Sequence, residues 1–308
     1  VMGCSQGENI KTDEAIQSAD STAENEVYVL VDDLGNEVTI PSAPQRIIAP
    51  YLEDELLTLD MMPIAQWSVH DSASIQEYLQ DQLKDIPTIP HDVPFEVVSG
   101  FNPDLLILSS AGLVEGGKYE TYSKIAPTFV IESEKHNDWR QRLIRVSEVF
   151  GKEEAAEKKL AEYDQLVEDN KSKIKEAIGD ESVAVVWVFN DDFYIVNQQK
   201  SSGTVLYHDL DLTIPDVVME ISENANDDWL SISLERLAEL DADHLFLIVN
   251  QIGEGEKALK DHVFQNIPAV KHGHVYEYTS DSSWLYSGYI ANTQIVQDVS
   301  ESLLKDKK

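Results

Sequence analysis

The sequence predicts an α/β protein of two lobes joined by one long helix, and three observations carry that expectation. In the first half, short runs of continuous apolar residues alternate with helical stretches, the pattern of a largely parallel sheet covered on both faces. From Lys152 to Ile178 no Gly or Pro interrupts a Glu-, Lys- and Ala-rich stretch whose apolar residues are Leu160, Tyr163, Leu166, Val167, Ile174 and Ile178. After Gly179, a natural helix stop, the α/β pattern begins again. At about 1.5 Å per residue such a helix spans roughly 40 Å, more than one small domain needs. It reads as a strut between lobes, with a plain surface helix as the alternative. Two lobes on one strut leave a cleft, where the carboxyl ends of strands often gather ligands.

The elements follow in order. Val27–Val31 and Glu37–Ile40 are strands around the turn Asp32–Asn36. Arg46–Ala49 is a short apolar strand, and Glu53–Met62 has helical spacing. Asp104–Leu108 and Thr128–Ile131 are buried strands, and Trp139–Phe150 is helical. Beyond the strut, Val183–Val188 and Phe193–Val196 pair as strands, Ser201–Leu210 opens a helix, and Ser233–Leu240 is another. His244–Val249 is a buried strand, Val275–Tyr278 a late one, and Ile290–Leu304 a closing helix. The expected division is a tether over 1–26, a first lobe over 27–151, the bridging helix over 152–179 and a second lobe over 180–308.

Charge narrows the function classes. The 308 residues carry 23 basic and 57 acidic groups, a formal charge of −34. A nucleic-acid binder or a protein held to anionic lipid by a basic patch needs the opposite sign. With 42% hydrophobic residues the chain is not disordered throughout. No run of about 18 apolar residues could span a membrane. The one cysteine, Cys4, allows no internal disulfide. It follows Gly3, like the end of a bacterial lipobox, and residues 5–26 are polar and acidic like a tether. A free N-terminal cysteine with no role is the other reading, and the leader expected before a lipobox is absent, as in a trimmed precursor.

Enzyme motifs are missing. There is no G-x-S-x-G elbow and no phosphate-binding loop, and Gly253-Glu254-Gly255-Glu256 lacks the third glycine of a dinucleotide loop. Asn224, Asn226, Asp228 and Glu235 have the spacing of a calcium loop, but Trp229 stands where the sharp turn needs Gly, so an acidic loop running into a helix fits better. The eight histidines offer one tight pair, His272 and His274, and no spacing of a metal site. No cofactor is expected.

Several segments in order resemble the ferric-siderophore-binding lipoproteins of bacterial ABC importers, the class III solute-binding proteins. They are Asp33-x-Gly35 through Pro41, Pro44 and Arg46-Ile47-Ile48; Glu96 with Asn102-Pro103-Asp104-Leu105-Leu106-Ile107; Tyr122–Thr128; Gly151-Lys152-Glu153; Ser202-Gly203-x-Val205-Leu206; Trp229-x-x-Ile232-Ser233-x-Glu235; Asp241–Phe246; and Ala269–Tyr276 with Trp284. The resemblance covers about Val31 to Leu304. It implies two Rossmann-like lobes bridged by a single long α-helix, modest closure, and capture and delivery without chemistry. The partners implied are an Fe(III)-siderophore and an ABC permease with its cytoplasmic ATPase. The protein would be a monomer, lipid-anchored through Cys4 on the outer face of a Gram-positive cell membrane. It also implies one exposed glutamate per lobe docking on permease arginines, here Glu96 and Glu235; both equally suit helix starts, where the dipole favours an anion.

A hexadentate siderophore fills iron's coordination sphere, so the protein needs aromatic walls and a few donors, with no direct iron ligand. Residues where strands run into loops are the candidates: Tyr51, Trp67, His70 and Ser110 in the first lobe, and Trp187, Asn190, Phe193, Gln199, Asn250, Trp284 and Tyr286 in the second. Core packing is the competing role for each aromatic, and Trp284 with Tyr286 is the strongest pair. Arg140 and Arg142, beside Trp139, could meet ligand oxygens or simply form a solvated helix face. The strand Val185–Val188 carries no base, unlike binders of anionic tris-catecholates, and Asn197–Lys200 lacks the Trp and Arg of some ferrichrome binders. The expected cargo is therefore a ferric hydroxamate or mixed hydroxamate. A catecholate, haem or cobalamin in the same fold, or a surface interaction protein, are the alternatives.

Overall fold

The computed structural model describes residues 27–133, 135–136 and 138–305. The lipobox cysteine and the tether lie outside them. No helix among the described residues is long and apolar enough to cross a membrane. Strands β1 (Tyr28–Val31) and β2 (Glu37–Ile40) form the expected antiparallel hairpin. Asp32 organises its turn: the carboxylate accepts from the N–H groups of Leu34 and Asn36, and also from Val130, which ties the hairpin to the first lobe.

In the first lobe, β3 (Ile47–Ile48), β7 (Leu105–Leu108) and β8 (Thr128–Val130) are parallel, in the order β3-β7-β8. Strands β4 (Gln66–Val69), β5 (Ser74–Ile75) and β6 (Thr88–Pro90) form a second set, in the order β5-β4-β6. A parallel bridge between Ile47 and Pro63 and the bond from Ile64 N–H to Ile47 O join the two sets side by side. Every residue of β7 is buried, as a strand covered on both faces requires.

The second lobe is one sheet in the order β11-β10-β9-β12-β13. Strands β9 (Val183–Phe189), β12 (His244–Val249) and β13 (Val275–Thr279) are parallel, while β10 (Asp192–Val196) and β11 (Trp229–Ile232) run antiparallel at one edge. Asn190 and Asp191, both at positive φ, make the tight β9–β10 turn. Trp229 belongs to β11 instead of the acidic loop expected from the calcium-like spacing. The stretch read as a helix from Ser201 is a π-helical turn, Thr204–Asp209, entered through a hairpin-tight loop. At Gly203 a Cβ would come within 2.0 Å of Asn197 O, so the loop closes only with glycine there.

The bridging helix is Glu153–Ile178 and buries Ala156, Tyr163, Val167, Ile174 and Ile178. It packs against the helices Trp139–Val149 and Tyr289–Leu304. The C-terminal helix also returns to the first lobe, where it meets the short helix Glu53–Thr58. That junction is built from acids. Glu53, Asp54 and Glu55 are all buried. Asp54 accepts from the N–H groups of Ile290 and Ala291, each at 3.0 Å, and from Tyr78 Oη at 2.9 Å, so a first-lobe carboxylate caps a helix that follows the second lobe. Glu55 pairs with Arg142 at 2.7 Å, and Arg142 Nη2 reaches Ser287 O at 3.2 Å. Glu53 accepts from Trp67 N–H at 2.6 Å.

Two predictions follow from the junction. Gly288 has φ +157, and a Cβ there would lie 2.5 Å from Asp54 Cγ. Gly288→Ala should therefore destabilise the protein by about 1–3 kcal/mol, read as a lower Tm; an unchanged Tm would show that the junction yields. Burial, helped by the charge of Glu55, pushes Glu53 up to about 8 against the pull of the Trp67 N–H. A carboxyl with a raised folded value binds its proton more tightly in the native state. Its stabilising contribution is full below the ordinary value near 4.5 and is lost as pH rises toward about 8. Glu53→Gln should thus gain on wild type by up to about 4 kcal/mol between about pH 5 and pH 9, in denaturant melts at both; a pH-independent difference would refute the burial assignment.

Candidate functional site

Between the lobes lies a cavity of about 450 Å³, whose lining includes Ser133, Trp139, Arg140 and Arg142 from the first lobe side and Gln199, Lys200, Ser201, Thr204 and Asp228 from the second. A smaller cavity of about 80 Å³ adjoins it, lined by Tyr51, Asp54, Gln76 and Tyr286 among others. The two share Arg142, Ser201, Asp228 and Ser287 and form one cleft.

One wall is aromatic. Tyr51, held at positive φ just after β3, has its ring 4.8 Å from Trp67 and 6.4 Å from Tyr286; Tyr286 in turn lies 5.1 Å from Tyr78. This string crosses from the first lobe to the loop before the C-terminal helix. Tyr51 is 46% exposed, so its ring is available to a ligand. The deeper wall is polar. Trp139 Nε1 and Ser201 Oγ belong to lining residues and have no hydrogen-bond partner among the described residues. Burial pushes the Asp228 carboxyl upward, while Lys200 and Arg142 pull it down.

The basic groups of the cleft are largely committed. Arg140 sits over the rings of Trp139 and Tyr163 and pairs with Asp209 at 3.2 Å and Asp164 at 3.3 Å. Asp209 also accepts from Tyr163 Oη at 2.7 Å, so helix Trp139–Val149, the bridging helix and the second lobe meet on one carboxylate. Arg142 is held by Glu55. The arginines that could have been a solvated helix face or ligand donors are ties between the lobes that also line the cleft.

The structure gathers Tyr51, Trp67, Arg140, Gln199 and Tyr286 at this cleft, with Trp67 entering through its contact with Tyr51. It does not place the others in either lining. Trp284 is fully buried, stacked 4.9 Å from Phe246, with Nε1 donating to Asp298 at 2.9 Å; its surface is spent on the core. Phe193 is likewise buried, 5.7 Å from Phe264. Trp187 sits in a separate aromatic group with Phe189, Tyr194 and Trp229. Ser110 Oγ accepts from Gly112 N–H, which makes it the cap of the turn after β7. His70 lies in the turn after β4, at positive φ, and Asn190 and Asn250 are exposed beyond the ends of β9 and β12.

Register explains why several second-lobe candidates lie outside this lining. The carboxyl ends of β9 and β12 were expected to face the ligand. Ile195 pairs with Val186, so β10 ends beside the amino end of β9, and it is the chain leaving β10 that carries Gln199–Ser201 into the cleft. Tyr78 and Gln76 were missed because they follow β5, a two-residue strand without apolar periodicity. Ser133 and Thr204 are small residues with no signal of their own.

A protein-family model described as "Periplasmic binding protein" matches residues 57–282. The iron(3+)-hydroxamate-binding protein FhuD of Bacillus subtilis is 28% identical over 264 residues, 84% of this chain and 81% of that protein. A crystal structure from Bacillus subtilis, described as a periplasmic binding protein component of a Fep/Fec-like ferrichrome ABC transporter, shares the fold with a TM-score of 0.73. It is 26% identical and the match covers 89% of this chain and 99% of that one. FhuD2 of Staphylococcus aureus with bound ferrioxamine B matches in fold with a TM-score of 0.71, at 21% identity over 85% of this chain and all of that one (100%). With two α/β lobes, one bridging helix and a cleft between them, this chain belongs to the periplasmic binding protein family and has its class III fold.

Proposed function

We propose that this chain captures a ferric siderophore, of hydroxamate or mixed hydroxamate type, in the interlobe cleft and delivers it to the permease of an ABC importer. The iron is cargo, enclosed by the siderophore's own oxygens, and the protein supplies walls and hydrogen bonds. The observation that carries the reading is the committed charge of the cleft. Arg140 and Arg142 already hold carboxylates, and Lys200 faces Asp228. A tris-catecholate trianion would need cations without partners, because bringing it in otherwise leaves buried charge uncompensated. A near-neutral ferric hydroxamate needs only the aromatic string and the polar lining. The hydroxamate name of the Bacillus subtilis relative agrees.

The remaining assignments complete this reading. The lobes over 27–151 and 180–308 act as the two jaws about the helix over 152–179. Cys4 and the tether hold the folded body to the outer face of the membrane, as a monomer. Glu96 and Glu235 dock on the permease; each is exposed in the first turn of a helix, Phe95–Phe101 in the first lobe and Leu234–Ala238 in the second.

Intrinsic fluorescence tests the cargo. Ferrioxamine- or schizokinen-like complexes should quench it tightly, and Tyr286→Ala should weaken that binding about tenfold, which is about 1.4 kcal/mol. Tight quenching by a tris-catecholate alone would overturn the hydroxamate assignment, and a Soret shift on adding haem would point to haem instead. For docking, Glu96→Ala with Glu235→Ala should leave ligand affinity unchanged and lower ligand-stimulated ATPase activity of the reconstituted importer by about tenfold or more. Undiminished stimulation would remove these residues from the docking surface.

A further inference from the structure

The geometry points to a second ligand site, for a borderline divalent transition ion such as Zn²⁺, on Glu181, His244 and His274 at the edge of the second lobe. One ligand atom from each of the three lies within 4.8 Å of the others. None of the three lines the interlobe cleft.

The sheet itself brings them together. Glu181 is two residues before β9, His244 opens β12, and β12 pairs in parallel with both neighbours, His244 with Val183 and Leu245 with Val275. His274, just before β13, therefore stands beside His244. Their rings are stacked with centroids 4.7 Å apart and planes 9° apart. His244 Nε2 lies 2.7 Å from Glu181 Oε2.

Each imidazole is held from its far side, as ligating histidines are when a metal takes the other nitrogen. His274 Nδ1 lies 3.2 Å from Asp243 O, which fixes a proton on Nδ1 and leaves the lone pair on Nε2. His244 Nδ1 lies 3.0 Å from Tyr276 Oη, which can accept when Nε2 turns to a metal.

The fit requires ångström-scale adjustment, since ligand atoms up to 4.8 Å apart must come to the spacing of one coordination sphere. Bonds of about 2.0–2.2 Å to nitrogen and oxygen put two ligands of a tetrahedral Zn²⁺ roughly 3.4 Å apart. The His244–Glu181 contact must open by less than about 1 Å from its 2.7 Å hydrogen bond. Glu181 can supply that, because its side chain is 48% exposed while that of His244 is 5% exposed. Binding replaces the hydrogen bond by two metal bonds; the one ring proton of the neutral His244 moves by way of solvent from Nε2 to Nδ1, where it is donated to Tyr276 Oη, with no net proton released. Two imidazoles and one carboxylate leave a fourth position for water, and the nitrogen-rich set favours Zn²⁺ over Mg²⁺ or Ca²⁺.

Calorimetric titration of the full chain with Zn²⁺ near neutral pH tests this. One ion per chain should bind below about 100 µM, raise Tm by mass action, and give Co²⁺ visible bands of a low-coordinate site. His274→Ala and Glu181→Gln, both at accessible positions, should each weaken binding about tenfold or more. Cys4→Ser should leave it unchanged, and so should saturation of the cleft with ferrioxamine B. No one-to-one binding by wild type, equal binding by the His274 and Glu181 variants, or loss on Cys4→Ser would overturn the site. Failure of ferrioxamine to bind would bear only on the cargo.

Discussion

The arrangement of the two lobes depends on one buried carboxylate. Asp54 sits at the amino end of the helix Tyr289–Leu304 and accepts from two of its first N–H groups. Those groups have no partner within the helix, so an anion there satisfies them and meets the favourable end of the dipole. The contact joins residues more than two hundred positions apart and brings the end of the chain back to its beginning. Burial and the neighbouring charge of Glu55 both raise the Asp54 carboxyl, which measures how much the helix donors and Tyr78 must offset. Gly288 follows from the same contact, since no side chain fits between the backbone and that carboxylate.

The second constraint is charge neutralisation at the cleft. Arg142 reaches both Glu55 and the carbonyl of Ser287, and Arg140 reaches Asp164 and Asp209. These bonds cross between elements that must keep their spacing while a ligand enters and leaves. With the guanidinium groups engaged, the proposed recognition falls to the string Trp67, Tyr51, Tyr286 and Tyr78 and to small polar side chains. Such a site reads shape and apolar surface more than charge. A chain of formal charge −34 can therefore host a compact iron complex without a strongly basic pocket.

Much of the fold was legible in the sequence because burial writes itself as periodicity. The uninterrupted stretch ending at Gly179 is the helix Glu153–Ile178, and the runs at Leu105–Leu108 and His244–Val249 are strands buried along their whole length. Strands β4, β5 and β6 were not legible: they are two to four residues long and mix polar residues and Pro90 with few apolar ones, so no run or alternation marks them. Within the site, Tyr51, Gln199 and Tyr286 could be reached because they follow strands or flank recognisable turns. Trp284 could not be told from its neighbour Tyr286 by type or spacing. Only the stack on Phe246 and the bond to Asp298 decide that one faces the core and the other the cleft. Tyr78 and the interlobe bonds of Arg140 and Arg142 are tertiary facts with no local signature.

The return of the last helix to the first lobe bears on how the protein is made. Synthesis proceeds from the amino end, and domains of many chains fold as they emerge. Here the helix Glu53–Thr58 emerges early, and its Asp54 receives the N–H groups of Ile290 and Ala291 only after they arrive. Asp54 of the first lobe gains these two donors only when residues more than two hundred positions later have been made. A first lobe made without the helix Tyr289–Leu304 would hold the Asp54 carboxylate without the two N–H donors that meet it in the folded protein.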